Sequence, residues 1–224
     1  MNYAMIQRLI FKDWYLHRWE ILGSLAGAAA AMAFVIFCGT AGFYIGLTLL
    51  ITVLVIVGAQ LAFSSSVTER KEQTLAFVMS LPISYRDYTT AKILSNLLIF
   101  LIPWTVVSLA SAAILLLAPG ATPGLFPFTA IMCVEILLSS SLISCVAIMT
   151  ESQAWTTTAI VIGNVAVNLV GYMVAHIRSI AAGMNSHNIA WTSAATMCLL
   201  VELALIALLF ALTYFVQSRK MDYL

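Results

Sequence analysis

Two features of this sequence place polar side chains in a chemically suggestive pattern. One is a pair of carboxylates, Glu135 and Glu202, each set deep inside a long apolar run. The other is "ERKEQTLAFVMSLPISYRDYTTAK", residues 69–92, the one stretch longer than a few residues that is densely polar. Counted from the start of its own apolar run at about 1.5 Å per helical residue, each carboxylate lies roughly 15 Å along the helix. Asn164 reaches a similar level and Asn168 lies one turn further on, so four polar side chains are expected in one layer. An ionised carboxylate at that depth costs roughly 2.5–3.5 kcal/mol even on a permissive insertion scale. It must face protein or water, and desolvation favours the neutral acid. Two uses follow. The four residues line a translocation path for a cationic or hydrogen-bonding solute, or the two acids hydrogen-bond Asn and Ser partners and fix helix packing.

Other reactive residue types show no such organisation. Ser139, Ser140 and Ser141 with His176 would be the material of a membrane serine hydrolase, but no G-x-S-x-G turn is present. His17, His176 and His187 are dispersed without ligand spacing. Cys38, Cys133, Cys145 and Cys198 form no C-x-x-C pair and read as small buried hydrophobes. There is no G-x-x-x-x-G-K-[ST] loop, nor any Gly-Lys pair, so no nucleotide site of its own is expected. The chain is therefore not expected to be an enzyme or to bind a metal or cofactor.

The elements that must position these residues are read from hydropathy. Of 224 residues 62% are hydrophobic and 8% charged, and the mean hydropathy is +1.03. Soluble domains carry about 25% charged residues, so the bilayer is the expected solvent. A net charge of +1 gives no reason to expect a nucleic-acid partner. A hydrocarbon layer roughly 30 Å thick needs about 20 apolar residues per helix, and six runs qualify: 21–38, 44–65, 93–117, 126–149, 154–177 and 192–216. They predict one all-α integral membrane domain of six transmembrane helices over residues 1–224. Strands are excluded because the runs lack barrel alternation and open sheet edges are not viable in lipid.

Residues 1–20 predict a separate amphipathic helix in the interface, with Arg8, Lys12 and Arg18 on one side and Trp14, Tyr15 and Trp19 as anchors. Asp13 intrudes on its apolar face. This charged segment does not resemble a cleavable signal and is expected to remain. Nine of the ten Lys/Arg fall on one side of a six-span topology, which puts both termini and the polar stretch in the cytoplasm. Gly23, Gly27 and Ala31, then Gly42 and Gly46, recur at intervals of four and predict close helix packing, within the chain or between two copies. The connections on the far side are short; the longest, residues 177–191, has room for a short helix.

Within the polar stretch, residues 67–80 sort into two faces of a short helix that Pro82 must end near Leu81. Ser84 then stands at an N-cap position with Asp87 in the first turn, and Tyr88 and Lys92 lead into the third run. Helix, sharp turn and capped helix is the expected sequence of elements. The set Glu69-Arg70, Thr74, Leu81-Pro82, Ser84, Tyr88 and Ala91-Lys92 resembles the intracellular signature of permease subunits of type 2 ABC exporters. Tyr85 departs from it, since many members carry Arg there.

The resemblance covers about 24 residues as a signature and the whole chain in layout. It implies that Glu69, Arg70, Glu72, Thr74, Leu81, Pro82, Ser84, Tyr88 and Lys92 form a coupling segment, 67–92, that docks on a separate cytoplasmic ABC ATPase. ATP and Mg would belong to that ATPase. It further implies a second permease chain, identical or paralogous, and residence among the lipids of a bacterial inner membrane. The expected function is the membrane-spanning subunit of an ATP-driven exporter. The alternative is a self-sufficient ion-coupled carrier or channel in which Glu135 and Glu202 bind the ion.

Overall fold

The computed structural model describes residues 3–37, 39–64, 85–117, 122–184, 186 and 188–219, and among these every regular element is helical. The helices are α1 (Tyr3–Phe37), α2 (Gly39–Ala62), α3 (Tyr85–Leu117), α4 (Phe126–Thr150), α5 (Gln153–Ala175), α6 (Arg178–Met184) and α7 (Ser193–Ser218). A single 3-10 turn, Pro123–Leu125, leads into α4.

Among the described residues four stretches are long and apolar enough to cross a membrane: Tyr88–Leu116, Pro123–Thr150, Gln153–Ala175 and Ser193–Gln217, with mean hydropathies from 1.7 to 2.5. They coincide with the third to sixth runs expected from sequence. The chain is thus all-helical over the described residues and has the spans of an integral membrane protein.

The amino-terminal region differs from expectation. No separate interfacial helix precedes the first apolar run; α1 continues unbroken for 35 residues. The reason lies in residues 16–26, "LHRWEILGSLA", which contain no proline and only one glycine, so nothing stops the helix where polarity changes. The second helix also starts early, at Gly39, which makes the expected connection at 39–43 helical.

The core forms around α4. Its spanning window is 56% buried, against 28% for α3, 22% for α5 and 11% for α7, so α4 is the central post and α7 an edge helix. The largest apolar cluster joins Ile21, Ala28 and Ala31 of α1 to Leu50, Leu54 and Leu61 of α2, and extends through α3 to Ile136 of α4. At one end of the bundle α6 closes a second cluster, where Ile180 packs with Ile131, Val174 and Ala195. The Gly124 amide donates to the Ser186 carbonyl there at 3.1 Å.

Small residues are used inside the chain. Gly163 of α5 sits directly on the Ser139 hydroxyl of α4, and Gly46 of α2 on the backbone of α1 at Ala31 and Val35. Gly23, by contrast, has nothing within 4 Å of where a Cβ would stand.

Helix α4 ends on Glu151, the one non-glycine residue with positive φ among those described (φ 49, ψ 24), whose amide donates to the Ala147 carbonyl at 2.9 Å. A left-handed conformation costs an L-residue about 1–2 kcal/mol and glycine almost nothing. Glu151→Gly is therefore expected to raise the unfolding midpoint by the equivalent of up to about 1 kcal/mol, measured by denaturant titration in micelles. A lowered midpoint would mean that the glutamate side chain contributes more than its backbone strain removes.

Candidate functional site

At the bundle end opposite α6, the first turns of α3 meet the first half of α1 through charge. Lys92 is 4% exposed and Asp13 3%. The Lys92 ammonium stands 3.2 Å from Asp13 Oδ2 and 3.4 Å from Oδ1, while the Ser95 hydroxyl donates to Oδ2 at 2.8 Å. Lys12 adds a more exposed contact to Asp13 at 3.5 Å. Tyr88, also buried, places its ring centroid 5.9 Å from the Lys92 nitrogen. One turn along α1, buried His17 holds Glu20 at 3.0 Å, and Glu20 accepts from Gln60 of α2 at 3.4 Å. Polar contacts therefore tie α1 to α3 at Asp13 and, about two turns further along, α1 to α2 at Glu20.

A buried pair of this kind adds little stability over apolar residues of equal volume, since desolvation offsets attraction. It does fix which faces meet. Asp13 explains itself here: the acid that seemed misplaced on an apolar face is the partner of a lysine 79 residues away. It was absent from the expected site residues, although a lone acid on an apolar stripe is the signal that could have found it.

Of the expected coupling residues, Tyr88 and Lys92 are brought into this cluster. Glu69, Arg70, Glu72, Thr74, Leu81, Pro82 and Ser84 lie outside the described residues.

The second polar centre lies along α7, whose buried residues Ala195, Glu202, Ile206, Thr213 and Gln217 form one stripe against α4. Its register is pinned at both ends. Near α6, Ala195 and Cys198 share a cluster with Ile131. At the other end the Gln217 side-chain amide donates to the Ile148 carbonyl, and Thr213 hydrogen-bonds Cys145. One turn past Ile131 and Cys198, Glu135 and Glu202 must therefore stand opposite each other, and each is at least 95% buried, being 3% and 5% exposed. They are close enough for their charges to interact.

Among the described residues no Lys or Arg side chain pairs with either of them. Between Lys92 and Arg219 the only Lys or Arg is Arg178, exposed in α6. Glu202 Oε2 is buried with no hydrogen-bond partner among the described residues.

The two asparagines of the expected four-residue layer make their hydrogen bonds within their own helix. The Asn164 amide donates to the Ile160 carbonyl, and that of exposed Asn168 to the Asn164 carbonyl, both at 2.8 Å. Each is satisfied by its own helix at i−4, the ordinary fate of a polar side chain that has no cross-helix partner in range. Neither asparagine amide donates to Glu135 or Glu202.

A cavity of about 250 Å3 opens between α3, α4 and α7, lined by Trp104, Ser108, Leu109, Phe126, Cys133 and Leu199 among others, with neither acid in its wall. The Trp104 indole N–H donates to the Cys133 carbonyl at 2.7 Å, which joins α3 to α4 at the cavity's edge. Trp104→Phe is expected to cost about 0.5–1.5 kcal/mol, the usual net value of such a bond, read as a shift in the unfolding midpoint. Among the described residues no group of three or more His, Cys, Asp or Glu could hold a metal ion.

No protein-family model matches the chain, and no curated protein matches it.

Proposed function

We propose that this chain is the membrane-spanning subunit of an ATP-driven exporter of the type 2 ABC kind. In this reading six helices cross a bacterial inner membrane, both termini are cytoplasmic, and a second permease chain completes the translocation path. Residues 67–92 engage a cytoplasmic ABC ATPase that carries the ATP and Mg.

The observation that carries the reading is the Asp13–Lys92–Ser95 junction at the point where that segment enters α3. A displacement applied to the segment reaches α3 through the chain itself and α1 through the buried ion pair, so two helices respond as one lever. Driving an alternating-access equilibrium from 1:99 to 99:1 takes about 5.5 kcal/mol of differential stabilisation. The sequence has no phosphate loop to supply it, which is why a separate ATPase belongs to the proposal.

The test is reconstitution. Glu69→Ala or Arg70→Ala is expected to abolish ATP-dependent solute movement in vesicles containing chain and ATPase, with membrane insertion unchanged. Solute transport by the chain alone, or full transport by both variants, would overturn the proposal.

One observation favours a second reading, an ion-coupled carrier: two buried carboxyls lie at the α4–α7 contact with no ion-pair partner among the described residues. Uptake driven by an ion gradient in vesicles that contain this chain only distinguishes the two.

A further inference from the structure

We propose that α5 pairs within the membrane with α5 of a second copy of this chain, along a seam of Ala154, Thr158, Val161, Val165, Asn168 and Tyr172. As the second permease of an exporter that copy rests on the reading above; as a pair of identical chains it stands without it.

The first observation is a polar side chain on the outside of the bundle. Asn168 is exposed and lies on a helix long and apolar enough to span a membrane, seven residues before its end at Ala175. That is about 10 Å along the helix axis, inside the hydrocarbon layer when α5 spans it. Its one hydrogen bond among the described residues engages a single N–H, which donates to the Asn164 carbonyl. A carboxamide carries two N–H groups and an accepting oxygen, so the oxygen and the second N–H are left to the surroundings. Lipid tails offer them nothing, and a polar side chain at that depth calls for protein or water against it.

The second observation is spacing. The six seam residues follow one another at intervals of 4, 3, 4, 3 and 4, and every one of them is exposed. That alternation is the contact line of two helices wound left-handed around each other, the usual crossing in membrane bundles. The buried residues of α5, Thr156, Ala159, Gly163, Val167 and Val174, occupy the opposite side, where the helix packs on α4. Beside the seam runs an exposed row of larger side chains, Trp155, Ile162, Leu169 and Met173, suited to lipid. Through its central turns the seam carries only Thr, Val and Asn, which lets a second backbone come closer than that row would.

The third is symmetry, and it selects the occupant. Two copies inserted by the same rules share one orientation, so their α5 helices run parallel. A two-fold axis along the membrane normal then sets each seam residue at the depth of its own counterpart. Asn168 meets Asn168, and the carboxamide is self-complementary: the N–H of each donates to the oxygen of the other. Both groups left over by the helix's own bonding are thereby used. A lone amide in an otherwise apolar seam also fixes register. A different subunit would need a matching amide at the same depth, whereas a copy has one by construction.

The test uses the full chain, tagged at its carboxy terminus with donor or acceptor fluorophores, in lipid vesicles without ATP or ATPase. Energy transfer should follow a monomer–dimer curve as lipid dilutes the protein. Asn168→Leu, which makes α5 more apolar, is expected to raise the dissociation constant roughly five- to tenfold, the order set by interhelical hydrogen bonds in membranes. Asn168→Gln keeps a carboxamide and should fall between the two.

Brief oxidation supplies an arm that does not depend on the leucine variant. Val161→Cys, Val165→Cys and Asn168→Cys are expected to yield cross-linked dimers, while Ile162→Cys and Met173→Cys yield no more than the native chain with its own four cysteines. A chain that stays monomeric at every dilution, undiminished association of Asn168→Leu, or cross-linking stronger at Ile162 and Met173 than along the seam would each overturn the pairing. None of these readouts involves ATP, and reconstituted transport does not report which helices meet, so this proposal and the exporter reading fail separately.

Discussion

Asp13→Ala is expected to destabilise the chain by about 3–5 kcal/mol, the usual consequence of removing one partner from a buried ion pair. Asp13 is 3% exposed and receives both the Lys92 ammonium and the Ser95 hydroxyl. Its loss leaves a buried cation without its carboxylate, at a position where the lysine stem has little route to water. The measurement is an unfolding titration with a denaturing detergent in mixed micelles, and a loss below about 1 kcal/mol would show that the pair is solvated and not structural. The double variant Asp13→Leu with Lys92→Met separates energy from geometry. Replacing both charges with apolar groups of similar volume is often neutral or stabilising, so most of the lost stability should return. If the pair acts as the joint of a lever, transport in the reconstituted complex should not return with it. Restored stability with restored transport would reduce the pair to a packing feature.

Gly46→Leu is expected to fall at or above the upper end of the roughly 1–3 kcal/mol typical of overpacking. A Cβ at Gly46 would meet the Ala31 carbonyl oxygen and the Val35 side chain of α1 well inside contact distance. Val35 can turn aside, but Ala31 presents backbone, so α1 and α2 would have to part along the interface that holds Ala28, Ala31, Leu50 and Leu54. Gly23→Leu is the matched control. It belongs to the same spaced series of small residues, yet nothing approaches its Cβ position, and a change within about 0.5 kcal/mol is expected there. The two variants compared in one titration decide whether the spacing serves contacts within the chain. A large loss for Gly23→Leu with none for Gly46→Leu would reverse the assignment.

Hydropathy alone located the third to sixth spans to within a few residues, because a segment that must pack its backbone bonds internally in lipid has little alternative to helix. The start of α4 at Phe126 and the short helix within residues 177–191 were likewise legible, from where the apolar run begins and from the length of the connection. The boundary at residue 20 was not. Polarity changes there, but a helix ends on backbone chemistry, and no residue supplies an end.

The site shows the same division. That Glu135 and Glu202 lie deep in apolar helices was a property of their sequence positions, and so was the absence of any basic residue near them. That they face each other, while Asn164 and Asn168 turn back onto their own helix, depended on how α4, α5 and α7 are rotated about their axes. Lys92 was conspicuous at the head of its helix, but its partnership with Asp13 joins elements 79 residues apart. Apolar content fixes that a segment is helical and roughly how long it is, since both follow from local backbone and solvent energetics. It does not fix rotation or register, because in a nearly uniform apolar helix every face has a similar affinity for its neighbours. Those are decided by the few places where a glycine admits a backbone or a buried polar group finds its partner, and such contacts exist only once the helices have been assembled.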